Sequence, residues 1–255
     1  MRYALSDADW QRLAPLLPGR PGTRGRSGDD NRRFLNAINW MARNGGPWRD
    51  LPARFGHWNT VWRRFDRWSK AGVWQRLFEH FQDPDLDWLL LDSTSLRAHQ
   101  HAAGGSKKGD DAETSAAREA LGRSRGGLTT KLHASVDALG NPIRLLLTPG
   151  QRGDVPFAAD LVAGLSPLAV VADTAYDATH FRARLALAGA EAVIPPNPTR
   201  AIKPGYDKEL YKERNLVERF FGRLKLNRRL ATRYEKTARN YLSFVFWAST
   251  LVLLR

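Results

Sequence analysis

Residues 88–92 read Trp-Leu-Leu-Leu-Asp and residues 168–173 read Leu-Ala-Val-Val-Ala-Asp. Each is a short, continuous apolar run closed by an acid. A strand buried on both faces has that pattern, whereas a strand with one wet face alternates. Outward from these two runs, Leu128–Val136, a turn over Asp137–Pro142 and Ile143–Leu147 predict a β-hairpin. Helices are predicted over Val155–Leu165 and Ala178–Leu187, with a further strand over Ala190–Ile194 and a Pro-rich loop from Pro195 to Pro204. Strands alternating with helices indicate an α/β fold, and this part of the chain begins at about residue 85.

Residues 1–84 read instead as a small all-α domain. Ser6, with Asp9 three residues on, resembles a capping box, and Trp10, Leu13, Leu16 and Leu17 recur at helical spacing until Pro18. Gly19–Asp30 reads as a mobile loop whose Asp29 or Asp30 caps a second helix carrying Phe34, Leu35, Ile38 and Met41. A third helix starts near Asn59, with Val61, Trp62, Phe65 and Trp68 in one stripe and Arg63, Arg64 and Arg67 facing elsewhere. The expected division is therefore 1–84 and 85–255, with a flexible basic loop near 102–127 in the second part. Near the end, Lys208–Arg229 reads as one long charged helix and Ala238–Leu254 as an apolar one.

The chain has 255 residues, 40 Lys+Arg against 26 Asp+Glu, and a formal net charge of +14, which argues for a polyanionic partner, with nucleic acid leading. The charge is unevenly placed: +8 over 1–80, −2 over 81–207 and +7 over 208–239. Basic flanks around an acidic centre suit an enzyme that holds divalent cations against a phosphodiester better than a protein that only grips phosphates. No Cys is present, which excludes disulfides, thiolate nucleophiles and Cys-built zinc sites. The opening MRYALSDADW lacks an apolar h-region, which argues against secretion, and the apolar run Leu242–Leu254 is too short for a membrane span. It reads as a buried helix.

An ionised carboxylate at the end of a central strand is costly unless something cationic compensates it. Asp92 and Asp173 are two such acids, although either one alone also reads as an ordinary cap of the following turn. Tyr211, Arg214, Glu218 and Lys225 lie at offsets 0, 3, 7 and 14. At about 100° per residue, they share one helix face about 60° wide. Beside the strand ends, Glu218 would complete a three-carboxylate cluster able to hold two divalent ions, with Arg214 and Lys225 reaching phosphate oxygens. A solvated charged helix has the same spacing, so both readings stand.

The stretches DLPARFGHWNTVWRRFDRWSKAGVW, LLLDSTSLRAHQHAAG, GRSRGGLTTKLHASVDALGNPIRLLLTPGQ, VVADTAYDA and YKERNLVERFFGRLKLNRRLATRYEK run along almost the whole chain. In that order the sequence resembles bacterial insertion-sequence transposases of the DDE type, close to the fifth insertion-sequence family. Tyr211, Arg214, Glu218 and Lys225 match the Y-x2-R-x3-E-x6-K signature of those enzymes. The resemblance implies a ribonuclease-H-like catalytic domain with Asp92, Asp173 and Glu218 as a metal-binding catalytic triad. It also implies a helix-turn-helix-like N-terminal domain that binds terminal inverted repeats. Implied with these are Mg²⁺ as the cofactor with Mn²⁺ as substitute, double-stranded DNA as partner, a homodimer or larger assembly on DNA, and a bacterial cytoplasmic, nucleoid-associated setting. One departure from the family pattern is Thr174-Ala175 between Asp173 and Tyr176, where Lys-Gly is expected.

The reaction expected is metal-dependent cleavage and strand transfer. A non-catalytic DNA-binding protein of the same fold, or a nuclease that cuts and never joins, are its rivals. Asp177 reads as the N-cap before Ala178 rather than as a fourth carboxylate. His99 and His101 have no third ligand nearby and read as DNA-backbone or structural residues rather than a metal site. Gly104–Gly109 lacks Walker spacing and is not a nucleotide loop. Arg63, Arg64 and Arg67 are read as DNA contacts rather than a merely solvated face.

Overall fold

The computed structural model describes residues 3–19, 30–103 and 119–255. The segments 20–29 and 104–118 lie outside the described residues, and with them nearly all of the loop expected at Gly19–Asp30, most of the basic loop expected near 102–127, and Gly104–Gly109.

The N-terminal part is helical. In α1 (Asp7–Leu13), the Ser6 hydroxyl accepts from the Asp9 N–H at 3.0 Å. In α2 (Asn31–Asn44), Asp30 caps the first turn by accepting from Arg33 N at 2.8 Å. That helix ends at Gly45, whose φ of +72° suits glycine. The site also excludes a side chain, because a Cβ there would meet Arg228 Cβ at 2.9 Å. Helices α3 (Trp58–Lys70) and α4 (Val73–His80) follow, hinged at Gly72. The Trp62 side chain is 36% exposed and so leaves the core stripe expected for it. Arg64 does the reverse: its guanidinium lies 4.3 Å from the Phe34 ring and 4.9 Å from the Trp68 ring and donates to Asn31 Oδ1.

The sheet is built on β1 (Trp88–Ala98). On one side β1 pairs antiparallel with β3 (Gly127–Val136), which pairs in turn with β4 (Pro142–Pro149) and, at its start, with β2 (Gly122–Ser124). On the other side it pairs parallel with β5 (Ala169–Ala172), which pairs parallel with β6 (Glu191–Val193). A two-residue β7 (Thr232–Arg233) lies parallel to the far end of β1. Three expectations are corrected here. Asp92 sits inside β1 rather than at its end, because Asp92–Arg97 keeps pairing with β3 although most of its side chains are polar. Residues 122–124 and 127 belong to strands, not to a flexible loop. The long helix expected over Lys208–Arg229 is broken into α7 (Lys208–Tyr211), a 3₁₀ turn (Lys212–Arg214), α8 (Asn215–Lys225) and α9 (Arg228–Ala231). Two asparagines stand at the breaks: Asn215 Nδ2 donates to Lys212 O at 3.0 Å and Asn227 Nδ2 to Leu224 O at 3.1 Å, both competing with the helical ladder.

Both faces of the sheet are covered, which is why its central runs are continuously apolar. Leu89, Leu91, Val170 and Ala172 face α5 (Val155–Val162) and α6 (Thr179–Leu187). Leu90, Val171 and Val193 face the opposite core, shared with α8, the N-terminal helices and α10 (Ala238–Leu253). Helix α10 is buried on nearly every side. Its Trp247 packs edge-on against Trp74 of α4 at 5.7 Å, so residues before and after position 84 contribute to one apolar core.

Candidate active site

The register that ends Leu90↔Val171, Leu91↔Ala172 delivers Asp92 and Asp173 next, on parallel neighbouring strands. Such strands lie about 4.8 Å apart, so the two carboxylates leave adjacent backbone positions. Each acid is braced locally: Asp92 Oδ1 accepts from Ser93 N at 2.8 Å and Asp173 Oδ1 from Ala175 N at 2.9 Å. Helix α8 packs against β1, and the turn before it brings Arg214 to the pair. Arg214 Nη1 donates to Asp92 Oδ2 at 3.2 Å, and its Nη2 donates to Glu218 Oε1 one helical turn on.

Burial pushes the Asp92 carboxyl up to about 6, with Asp173 and Glu218 adding to the rise while the Ser93 N–H and Arg214 oppose it. Asp173 is raised as well, again chiefly by burial. Arg214 is held firmly charged: burial works against it, but Asp92, Glu218, Tyr211 and Asp173 all favour the cation and prevail. Tyr211 is half-buried beside Arg214 and edge-on to Tyr206 at 5.5 Å. Asp92, Asp173, Tyr211, Arg214 and Glu218 thus form one neighbourhood. Lys225 does not join it. It lies along α8 beside Thr94 and Leu96, further down β1, with its end exposed. Arg63 and Arg67 are exposed on α3, away from the acids, and Arg64 is engaged with the aromatic core as described.

Among the described residues, no three His, Cys, Asp or Glu side chains converge closely enough to hold a metal ion. The Arg214 guanidinium supplies the positive charge among the acids. The donor set itself is all carboxylate oxygen, the chemistry that hard divalent cations prefer, and Asp92 stays raised, chiefly by burial, even with Arg214 beside it.

Asp154 and Lys131, beside the acids, were not singled out from sequence, and His133 was read only as an isolated structural histidine. Asp154, just before α5, accepts from Ser93 Oγ at 2.8 Å and from Lys131 Nζ at 3.0 Å, and lies 3.5 Å from His133 Nδ1. Lys131 Nζ also donates to Arg152 O at 2.7 Å, and His133 Nε2 shares a hydrogen bond with Thr148 Oγ1 at 2.8 Å. The available signal was a lysine and a histidine at alternate positions of an otherwise apolar or hydroxyl strand, Thr130–Val136. Asp177 is corrected: it does not cap α6. Its covered carboxylate accepts from Arg182 Nε at 2.6 Å, Arg200 Nε at 3.0 Å and Asn197 N at 2.6 Å, pinning the Pro-rich loop to the helix. His99 and His101 stack in parallel at 4.5 Å with their Nδ1 atoms 3.0 Å apart, and no third ligand joins them among the described residues.

Residues 83–253 match the transposase DDE domain family, and residues 5–78 match a family described as transposase of the IS4/5 family. The chain belongs to the DDE transposases. It is 49% identical over 130 residues to a Brucella ovis protein named as a transposase for insertion sequence element IS6501, covering 50% of this chain and all of that one. It is 36% identical over 107 residues to the insertion element IS402 uncharacterized 16.2 kDa protein of Burkholderia cepacia, covering 37% of this chain and 73% of that one. A solved piggyBac transposase synaptic complex with hairpin DNA aligns at TM-score 0.40 and 11% identity over 78% of this chain and 50% of that one, too loose a likeness to bear on the fold. DDE domains generally use divalent metal ions, in keeping with the carboxylate donors gathered here. Among the described residues, no helix is long and apolar enough to cross a membrane.

Proposed function

We propose that this chain binds the terminal inverted repeats of an insertion sequence, cuts the DNA there and joins the freed 3′-hydroxyl to target DNA. The observation that carries this reading is the meeting of Asp92 and Asp173 on parallel strands with Arg214, from the turn before α8, and Glu218 of α8. The catalytic part, 85–255, is read as ribonuclease-H-like. An antiparallel run β4-β3-β1 continued by two strands parallel to β1 (β5, β6) supports that reading. Residues 1–84 form the helix-turn-helix-like DNA-binding part, with α3 and α4 as its helix pair and the exposed Arg63 and Arg67 as phosphate contacts.

Asp92, Asp173 and Glu218 are the residues that would hold divalent ions, Mg²⁺ with Mn²⁺ as substitute. Bound there, such ions would supply Lewis acidity at the scissile phosphate and at the attacking and leaving oxygens. Asp92, central in the group, must be ionised to serve. Arg214 would offset charge on a phosphate oxygen, and Tyr211 and Lys225 would steady the strand on either side. The enzyme works as a homodimer or larger assembly on two DNA ends, in the bacterial cytoplasm at the nucleoid.

The test supplies the protein with a pre-cut element end and a target duplex in Mg²⁺. Joined products support transposition. Cleavage of intact ends without joining would leave a nuclease of the same fold, and binding without either reaction a DNA-binding protein.

A further inference from the structure

The parallel pairing Arg97↔Thr232, Ala98↔Arg233 ends by placing His99 and Tyr234 side by side, with His99 N donating to Arg233 O at 2.9 Å. Their rings stack at 4.9 Å, close to the strand spacing itself. The 3₁₀ turn Gln100–Ala103 then folds His101 onto the other face of His99 at 4.5 Å, where the backbone N–H of His101 donates to His99 Nδ1 at 3.2 Å. The result is a ladder of three rings with His99 in the middle. Its two end rings face solvent: His101 is exposed and Tyr234 is 36% exposed.

Its surroundings are cationic. Arg97 of β1 and Lys236 just after β7 are exposed beside it, Arg123 and Arg125 are exposed at β2 on the far side of β3, and none of the four makes an ion pair among the described residues. Asp92 lies seven residues before His99 along and just past β1, about 23 Å away, the length of about seven base pairs. We infer that the His101–His99–Tyr234 ladder is a stacking platform for an unpaired nucleobase of the DNA strand processed at Asp92. Flat π faces accept any base, while the flanking cations hold the backbone on either side of it. The inference rests on the DNA-processing reading above and adds to it a second contact that recognises single-stranded character.

The test compares binding of the full chain to two DNAs of one sequence, a blunt duplex and a duplex with a short single-stranded tail carrying 2-aminopurine. The wild-type protein is expected to bind the tailed duplex roughly five-fold or more tightly than the blunt one, and to quench the 2-aminopurine. Tyr234→Ala and His101→Ala should each erase that preference and the quenching while leaving blunt-duplex affinity unchanged, and Tyr234→Phe, which keeps the stacking face, should restore both. If the alanine variants keep the preference, or the wild-type protein binds blunt duplex yet shows no preference, the platform is refuted and the transposase reading stands. A preference that appears only with added Zn²⁺ and vanishes with EDTA would refute it in favour of a metal site. If the wild-type protein binds neither DNA, the DNA-processing reading fails and the platform with it.

Discussion

Arg214 Nη1 stands 3.2 Å from Asp92 Oδ2, although 122 positions separate the two residues in the chain. The contact fastens α8 to the middle of β1, and with it Glu218 to Asp92 and Asp173. Removing the guanidinium leaves a mostly buried carboxylate without its main cationic partner. Arg214→Ala is therefore expected to cost about 1–3 kcal/mol in urea unfolding at neutral pH. It should also slow DNA cleavage about 100-fold or more, as loss of a charge-stabilising donor does. Arg214→Lys should recover most of the stability and little of the rate, because an ammonium does not span two acids as a fork does.

The Asp92 carboxyl titrates near 6 when folded against 3.8 as the ordinary value. Between those values the native state binds more protons than the unfolded state, so this group makes stability fall as pH rises from about 4 through 6. Asp92→Asn removes the effect. Its stability relative to wild type should improve with pH and level off above about 7, the gain being at most about 3 kcal/mol. His133, lowered to about 4 by burial, slopes the opposite way. The variant-minus-wild-type difference is therefore the quantity to measure. Because an ion needs the ionised carboxylate, Mn²⁺ affinity should also fall about tenfold per pH unit below 6.

Lys131 and Asp154 are 14% and 15% exposed at their side chains and 3.0 Å apart. Breaking the pair from one side strands a charge: Asp154→Ala and Lys131→Ala should each cost about 3 kcal/mol. The double variant should cost clearly less than the sum of the two. An additive double-mutant cycle in chemical denaturation would show that the pair is not coupled.

Asp177 holds the Pro-rich loop through Arg182, Arg200 and Asn197 N, and its pKa is lowered by those partners against the effect of burial. Asp177→Asn should loosen that loop locally. Hydrogen exchange is expected to rise at residues 197–200 and in the first turn of α6 while β1 and β5 stay protected. Uniform loss of protection would contradict a local role.

What was legible in the sequence follows from period and composition. Leu89–Leu91 and Val170–Ala172 announced buried strands because both of their faces meet apolar layers. Arg214 and Glu218, four apart, were legible as neighbours because one helical turn joins them. The continuation of β1 through Asp92–Arg97 was not, since its pairing is carried by backbone bonds to β3 that mostly polar side chains do not advertise. The helix breaks at Asn215 and Asn227 were hidden for a similar reason: a single side-chain amide bonded to a carbonyl decides them. Arg64, Asp154 and Asp177 were misread or passed over because their partners lie in other elements, and only the tertiary fold turns a surface-looking charge inward.

The most direct test of the account is cleavage of a labelled duplex carrying the ends that flank this gene, with Mg²⁺, with EDTA, and with Asp92→Asn or Glu218→Gln protein. The account predicts nicking at the element boundary that requires Mg²⁺ and is lost in both variants, while binding to the same duplex persists. Nicking that survives either substitution, or wild-type protein that binds the ends and never cuts them in Mg²⁺ or Mn²⁺, would contradict it.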